Sequence, residues 1–146
     1  MTRPIVRIAL GVCVVLTVAL LAYLRDPPWL AGVESGFEGW QHAPGGERYR
    51  MMGGRASFFV PADHRWVDIP VRAPFASPAP FILDVKVNDR MAGGAVLTDE
   101  RWTLIRIPLQ VPPGWSRKVV RIDLHANRAF SERRVSAQVG EITLER

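Results

Sequence analysis

The stretch Phe81-Ile82-Leu83-Asp84-Val85-Lys86-Val87-Asn88-Asp89 determines the fold class of this 146-residue chain. Every second side chain in it is apolar, which is the period of a strand with one buried face. The residues on that face are Phe81, Leu83, Val85 and Val87. Asn88 and Asp89 tolerate the positive φ angles of a tight turn, so the chain can reverse into a second strand within 91–98. The pattern predicts an antiparallel hairpin.

Similar short runs recur after residue 33 and are separated by Gly, Pro, Asn and Asp. The predicted strands cover 48–52, 56–60, 65–71, 81–88, 91–98, 102–109, 119–125 and 138–144. Gly53-Gly54 and Gly93-Gly94 are interpreted as turns or bulges. Because short strands at this spacing are typical of antiparallel sandwiches, we predict an all-β, jelly-roll-like β-sandwich over 33–146.

A different pattern precedes this region. Residues 5–24 are an apolar run broken only by Arg7, and a helix of that length crosses a bilayer about 30 Å thick. We therefore predict an N-terminal segment with a transmembrane helix over 1–25, a linker over 26–32 and an extracytoplasmic head over 33–146. A cleaved signal peptide is the alternative, but its apolar stretch is usually only ~7–15 residues long.

The charges beside the apolar run predict its orientation. Arg3 and Arg7 precede it, whereas Arg25 and Asp26 nearly cancel after it. Since cationic flanks stay on the cytoplasmic side, the N-terminus is predicted to be cytoplasmic and the head periplasmic. The expected location is the bacterial inner membrane, with a single pass.

Small residues recur every four positions within the run, at Ala9, Cys13 and Thr17. On a helix they would form one face that allows close approach of another helix. Chance in a segment rich in Ala, Val and Leu explains the same spacing, and both explanations stay open.

Composition limits the function classes. The formal net charge is +5, but three of the nineteen cations lie in residues 1–25, so no concentrated basic face is expected and nucleic acid is not a predicted partner. The one cysteine, Cys13, lies in the apolar run, so the head has no disulfide.

His42, His64 and His125 have no metal-ligand spacing, and no serine has the context of a nucleophile. Asp123 and His125 would share a strand face, most simply a polar one. We expect no enzyme activity, metal or cofactor.

The tryptophans of the head carry the binding hypothesis. Trp66 and Trp102 begin strand patterns and are predicted to be core residues. Trp115 follows a stiff Pro-Pro-Gly loop and, with Arg117, is the first candidate for an exposed binding site, while Trp40 is the second. Exposed Trp and Arg anchor protein interfaces, and exposed Trp also stacks on sugar rings.

Scattered aromatic, turn and strand positions in the head resemble those of jelly-roll β-sandwich domains attached to bacterial membrane glycosyltransferases and envelope proteins. Such domains are broadly similar to carbohydrate-binding modules. The segments are Gly36-Phe37-x-Gly-Trp40, Arg48-Tyr49-Arg50-Met51, Val85-x-Val-Asn-Asp-Arg90, Trp102-x-x-x-Arg-Ile-Pro108 and Val139-Gly-Glu-Ile142. The multi-span catalytic part of those proteins is absent, so the resemblance implies no transferase activity.

Two functions are consistent with these observations. The first is a non-enzymatic accessory or scaffolding subunit of a larger membrane complex, for example a respiratory or photosynthetic one, in contact with the bilayer through residues 5–24. The alternative is a membrane-tethered carbohydrate-binding module that acts on envelope glycans or assists a glycosyltransferase.

Overall fold

The computed structural model describes residues 2–25, 27, 29–77, 79–110, 118–128 and 136–146. Within these ranges one α-helix and a short 3₁₀ helix (η1) precede ten strands. They are α1 (Thr2–Arg25), η1 (Leu30–Gly32), β1 (Glu34–Phe37), β2 (Gln41–His42), β3 (Arg48–Pro61), β4 (Trp66–Arg72), β5 (Phe81–Val87), β6 (Arg90–Leu97), β7 (Thr103–Pro108), β8 (Val119–Ala126), β9 (Ala137–Gly140) and β10 (Thr143–Glu145).

All strand pairs are antiparallel, and the long strand β3 belongs to both layers of a sandwich. Its C-terminal half pairs with β8 on one side and β1 on the other, and β8 continues to β5 and β6; we call this layer the front sheet. Its N-terminal half pairs with β9, followed by β4 and β7, with β10 also on β4; this is the back sheet. Strands β6 and β7, which end the two sheets, contact each other, so the sheet is nearly closed. The predicted jelly-roll-like β-sandwich is confirmed.

The core lies between the two sheets, and β5, β7 and β8 contribute alternate residues to it. Strand β8 alternates strictly between buried and half-buried residues, and the alternation of β5 predicted from sequence places its buried set inward. The largest fully buried side chains are Phe81, Met52, Ile69, Leu83, Leu97, Ile107, Ile122, Leu124, Val67, Val71, Val85 and Val139. On β5, β7 and β8 every other side chain is left on an outer face, whereas all four residues of β9 are buried.

The predicted hairpin between β5 and β6 is confirmed. Asn88 and Asp89 have φ angles of 47° and 69°, the left-handed values that a two-residue turn of this type requires. The Asn88 side chain accepts from the Arg121 backbone N–H at 3.1 Å, and the Arg121 carbonyl accepts from the Asn88 backbone N–H at 2.9 Å. The turn is therefore held against β8.

Three strand predictions were wrong in detail. The strands predicted at 48–52 and 56–60 are one strand, since Gly53-Gly54 lies inside β3, between the segments that pair with β9 and with β8. The strand predicted at 138–144 is broken after Gly140. Strand β1 was not predicted because its sequence, Glu-Ser-Gly-Phe, has no apolar alternation. Gly36 in β1 has a φ of 77°, and a Cβ there would lie 2.0 Å from the Arg55 carbonyl oxygen.

Helix α1 is long and apolar enough to cross a membrane. Its described side chains from Ile8 to Leu24 are all exposed. No described part of the head covers them.

Leu83 and Ile82 are neighbours on opposite faces of β5 and provide a test of the core. Leu83 is 1% exposed and Ile82 is 44% exposed. We expect Leu83→Ala to lower the free energy of unfolding by about 3 kcal/mol, since it leaves a cavity in a packed core. Ile82→Ala should cost less than about 1 kcal/mol. Urea unfolding of residues 31–146, followed by circular dichroism, measures both. Similar losses for the two variants, or a helical spectrum, would contradict this fold.

Candidate functional site

The outer face of the front sheet carries an open groove of about 380 Å³. Residues of four neighbouring strands and the β5–β6 turn line it, and all of them except the core residues Ala56 and Leu124 point outward. They are Ser35 from β1, Arg55, Ala56 and Ser57 from β3, Arg121, Asp123, Leu124 and His125 from β8, Lys86 from β5, and Asp89 from the turn. We call this surface the front groove.

Strand register arranges these side chains in two rows. In the first row Ser35 lies opposite Ser57, Ser57 opposite Asp123, and Asp123 opposite Lys86. The Ser35 and Ser57 Oγ atoms are 2.8 Å apart and share a hydrogen bond. A row of side chains directly opposite each other on adjacent strands brings their functional groups within reach of one ligand.

The second row lies two residues further along the strands. Arg55 of β3 is opposite His125 of β8, and His125 is opposite Asp84 of β5. Asp84 belongs to the same outer face but does not line the front groove. Arg55 and Lys86 are therefore two strands and two residues apart, a diagonal of about 12 Å between Cα atoms at ordinary strand spacing.

Arg121 organises the acidic groups of the front groove. Its Nε donates to Asp123 Oδ2 at 2.9 Å, and its Nη2 donates to Asp89 Oδ1. These hydrogen bonds, first that of Asp123, together with the two negative charges, raise the pKa of Arg121. Both acidic side chains that line the groove are thus paired with one guanidinium group.

The front groove offers many polar groups to a ligand. Its hydroxyls, carboxylates, imidazole and cationic groups supply many donors and acceptors. No Phe, Tyr or Trp side chain is among its lining residues. In the register His125 lies opposite Arg55 and not opposite a serine. Among the described residues there is also no cluster of three metal-ligating side chains.

A second polar cluster surrounds the N-terminal part of β3. The Arg50 guanidinium group is bound to the Glu34 carboxylate by two hydrogen bonds, one of 3.0 Å to Oε1. It also lies 4.0 Å from the Phe37 ring centroid and 4.6 Å from that of Trp40. Arg48 lies 4.8 Å from the Trp40 ring centroid. We call these residues the Arg50 cluster.

Trp40, a predicted binding residue, is 40% exposed and belongs to the Arg50 cluster. Two guanidinium groups already contact its ring. The role of Trp40 as a binding residue stays a prediction. Trp115 and Arg117 lie outside the described residues, and their predicted role stays open in the same way. Ala9, Cys13 and Thr17 lie at exposed positions on α1.

The prediction that Trp66 and Trp102 are core residues was wrong. Trp66 is 38% exposed on the back sheet. Trp102 precedes β7, and its indole N–H donates to Glu47 at 2.7 Å, while the Arg72 guanidinium group lies 4.4 Å from its ring centroid. Both occupy outward positions in the alternation, since the inward positions of β4 and β7 belong to Val and Ile.

Sequence reasoning found one pair of the front groove and missed the rest. The spacing Asp123-x-His125 predicts that both side chains share a strand face, and both do line the groove. Ser35, Arg55 and Lys86 were not singled out, because only strand register brings them to the same surface. The signal that could have found Lys86 is its place between Val85 and Val87 in the alternating strand.

Comparison with known proteins finds similar folds but assigns the chain to no family. No protein-family model matches the chain, and no curated protein matches it. Among solved structures, it is similar to the C-terminal CBM6 of LamC, a marine laminarinase from Zobellia galactanivorans, with 10% identity over 78% of this chain and 91% of that chain and a TM-score of 0.48.

Two further structures show the breadth of this likeness. The CBM51 of Clostridium perfringens GH95, in complex with methyl-galactose, is 10% identical over 77% of this chain and 92% of that chain, with a TM-score of 0.47. The salicylyl-acyltransferase SsfX3 of a tetracycline biosynthetic pathway is 15% identical over 77% of this chain and 36% of that chain, with a TM-score of 0.49. The function therefore has to be inferred from this chain's own side chains.

Glu34 gives a pH-dependent test of the Arg50 cluster. The hydrogen bonds from Arg50 hold the pKa of Glu34 below its ordinary value of 4.5. Its stabilising contribution is therefore present above about pH 4.5 and is lost as the pH falls through the lower, folded-state pKa. Glu34→Gln should lower the free energy of unfolding at pH 7, and the difference from the wild type should shrink towards about pH 3.

Urea unfolding at several pH values measures this difference. Glu38→Gln is the control, since Glu38 is exposed and has no described ion pair. A loss that is the same at every pH would mean that the Glu34 charge adds nothing to the cluster.

Proposed function

We propose that this protein is a non-enzymatic, membrane-tethered binding module whose ligand is a glycan held in the front groove. The observation that carries the proposal is the groove itself: register places hydroxyl, carboxylate, imidazole and cationic side chains of four strands around one space. Its volume of about 380 Å³ falls within the range of roughly 300–1,000 Å³ that is usual for ligand sites.

A sugar suits this surface because each of its hydroxyls both donates and accepts hydrogen bonds. The Ser35–Ser57 pair can exchange its mutual bond for bonds to a ligand, and Asp123 keeps acceptor capacity beside its bond to Arg121. The side chains stand on paired strands rather than on long loops, so little ordering is needed when the ligand binds.

The tether in this proposal is α1. Its apolar side chains are unfavourable in water, and the hydrocarbon layer of a membrane can surround them. With Arg3 and Arg7 on the cytoplasmic side, the front groove would face the periplasm. The protein then comprises the anchor over 1–25, the linker over 26–32 and the head over 33–146.

The two serines provide the test of glycan binding. The full-length protein in mild detergent is titrated against a panel of soluble polysaccharides by affinity electrophoresis. Ser35→Ala combined with Ser57→Ala should weaken binding of the retained polysaccharide about tenfold, since two hydrogen bonds worth about 0.5–1.5 kcal/mol each are lost. The control Thr143→Ala removes an exposed hydroxyl from the back sheet and should change nothing. Retention that is unaffected by the double variant would place the site elsewhere, and no retention of any polysaccharide would refute the proposal.

A second candidate function is an accessory subunit that docks in the membrane through α1. The specific observation is that the Thr17 hydroxyl donates to the Cys13 carbonyl oxygen at 2.8 Å, so its polarity is satisfied within the helix. The face of Ala9, Cys13 and Thr17 thus presents small side chains, and its one hydroxyl is already hydrogen-bonded within the helix. Another helix could pack against this face.

Leucine substitutions test this second function. Ala9→Leu with Cys13→Leu keeps the helix apolar but fills the small face, and it should preserve membrane insertion while reducing the recovery of co-purified membrane proteins several-fold. Val12→Leu with Val15→Leu is the matched control elsewhere on the helix. If both pairs leave recovery unchanged, α1 is an anchor only.

A further inference from the structure

We propose that the ligand of the front groove is an anionic glycan, bearing carboxylate or sulfate groups, which Arg55 and Lys86 recognise. This inference rests on the proposed function and narrows its ligand class. It rests on one contrast: both acids that line the groove are paired with Arg121, whereas Arg55 and Lys86 have no described ion-pair partner.

The acids of the groove are already paired with a base. Asp89 and Asp123 both accept from Arg121, which leaves these three side chains with a formal net charge of −1, against +2 on Arg55 and Lys86. A ligand cation would find no unpaired carboxylate among the lining residues. Asp84, the third acid of this face, lies outside the lining.

The other two cationic side chains of the lining have no such partner. Within the described part of the chain, neither Arg55 nor Lys86 forms an ion pair or a side-chain hydrogen bond. Their donors are open to the groove, and a guanidinium group matches the two oxygens of a carboxylate or sulfate as a fork.

The two cations stand on different strands of the front groove, at a spacing that a short chain of sugars can span. Arg55 and Lys86 lie on a diagonal of about 12 Å between Cα atoms. Asp123 and His125 of β8 lie between them in the register, and Ser57 lies beside Asp123 on β3. A chain of sugars can place its hydroxyls on this middle part and separate acid groups on the two cations.

Matched pairs of charged and uncharged polysaccharides test the inference. The probes are polygalacturonate against its methyl ester, and dextran sulfate against dextran, each titrated with the full-length protein in mild detergent. At least one anionic probe should bind about tenfold or more tightly than its uncharged counterpart, and the pair that responds identifies carboxylate or sulfate. Binding should weaken as the salt concentration rises.

Charge-removing variants then locate the effect. Arg55→Gln and Lys86→Gln should each weaken binding of the anionic probe about fivefold or more, since each removes a charge-assisted hydrogen bond. Arg65→Gln is the control, because Arg65 is an exposed cation before β4, away from the groove. The melting temperatures of the three variants, measured alongside, should equal that of the wild type.

The outcomes separate this inference from the proposed function. Equal losses in all three variants would mean that net charge alone attracts the probes, which overturns the inference. Binding of neutral polysaccharides that depends on Ser35 and Ser57 but not on Arg55 and Lys86 would also overturn it and leave the proposed function standing. Absence of binding to every polysaccharide would refute both.

Discussion

The fold depends on one constraint, the two-residue period of strand β3. This strand is long enough to pair with β9 through its first half and with β8 through its second, so the two sheets share a continuous backbone. The inward residues Met52, Phe58 and Val60 of β3 enter the common core, and its outward residues reach an outer face. The register of β3 therefore decides both which residues stabilise the head and which ones line the front groove. A slip of one residue would exchange the two sets.

The back sheet shows how the chain accommodates a proline within a central strand. Pro70 lies within β4 and has no backbone N–H to donate. The strand beside it is interrupted at this level, since β9 ends at Gly140 and β10 begins at Thr143. A Cβ at Gly140 would lie 3.2 Å from the Pro70 side chain, so the absence of a side chain at Gly140 leaves room for the ring. The interruption and the proline thus fit each other.

The alternation of apolar and polar residues is visible in the sequence, so the structural features that depend on it could be predicted. The hairpin of β5 and β6, the strand β8 and the shared face of Asp123 and His125 follow from local patterns. The continuity of β3 through Gly53-Gly54 could not be predicted, since two glycines read as a break until their neighbouring strands are known. The front groove could not be predicted either, because Ser35 and Lys86 lie 51 positions apart in sequence and meet only through the order of strands. The core prediction for Trp66 was wrong because its place at the start of a strand does not say which face it occupies, and the alternation of β4 directs it outward.

The contact between η1 and β3 limits how far the head can move from the end of α1. Since Leu30–Gly32 packs on the head, only residues 26–29 remain between α1 and that contact, a contour length of about 14 Å when fully extended. If α1 spans the membrane as proposed, the front groove can sample only a thin layer next to the lipid headgroups. Polymers in the outer part of the cell envelope would have to extend down to this layer to be captured, so such a protein would act locally at the membrane surface.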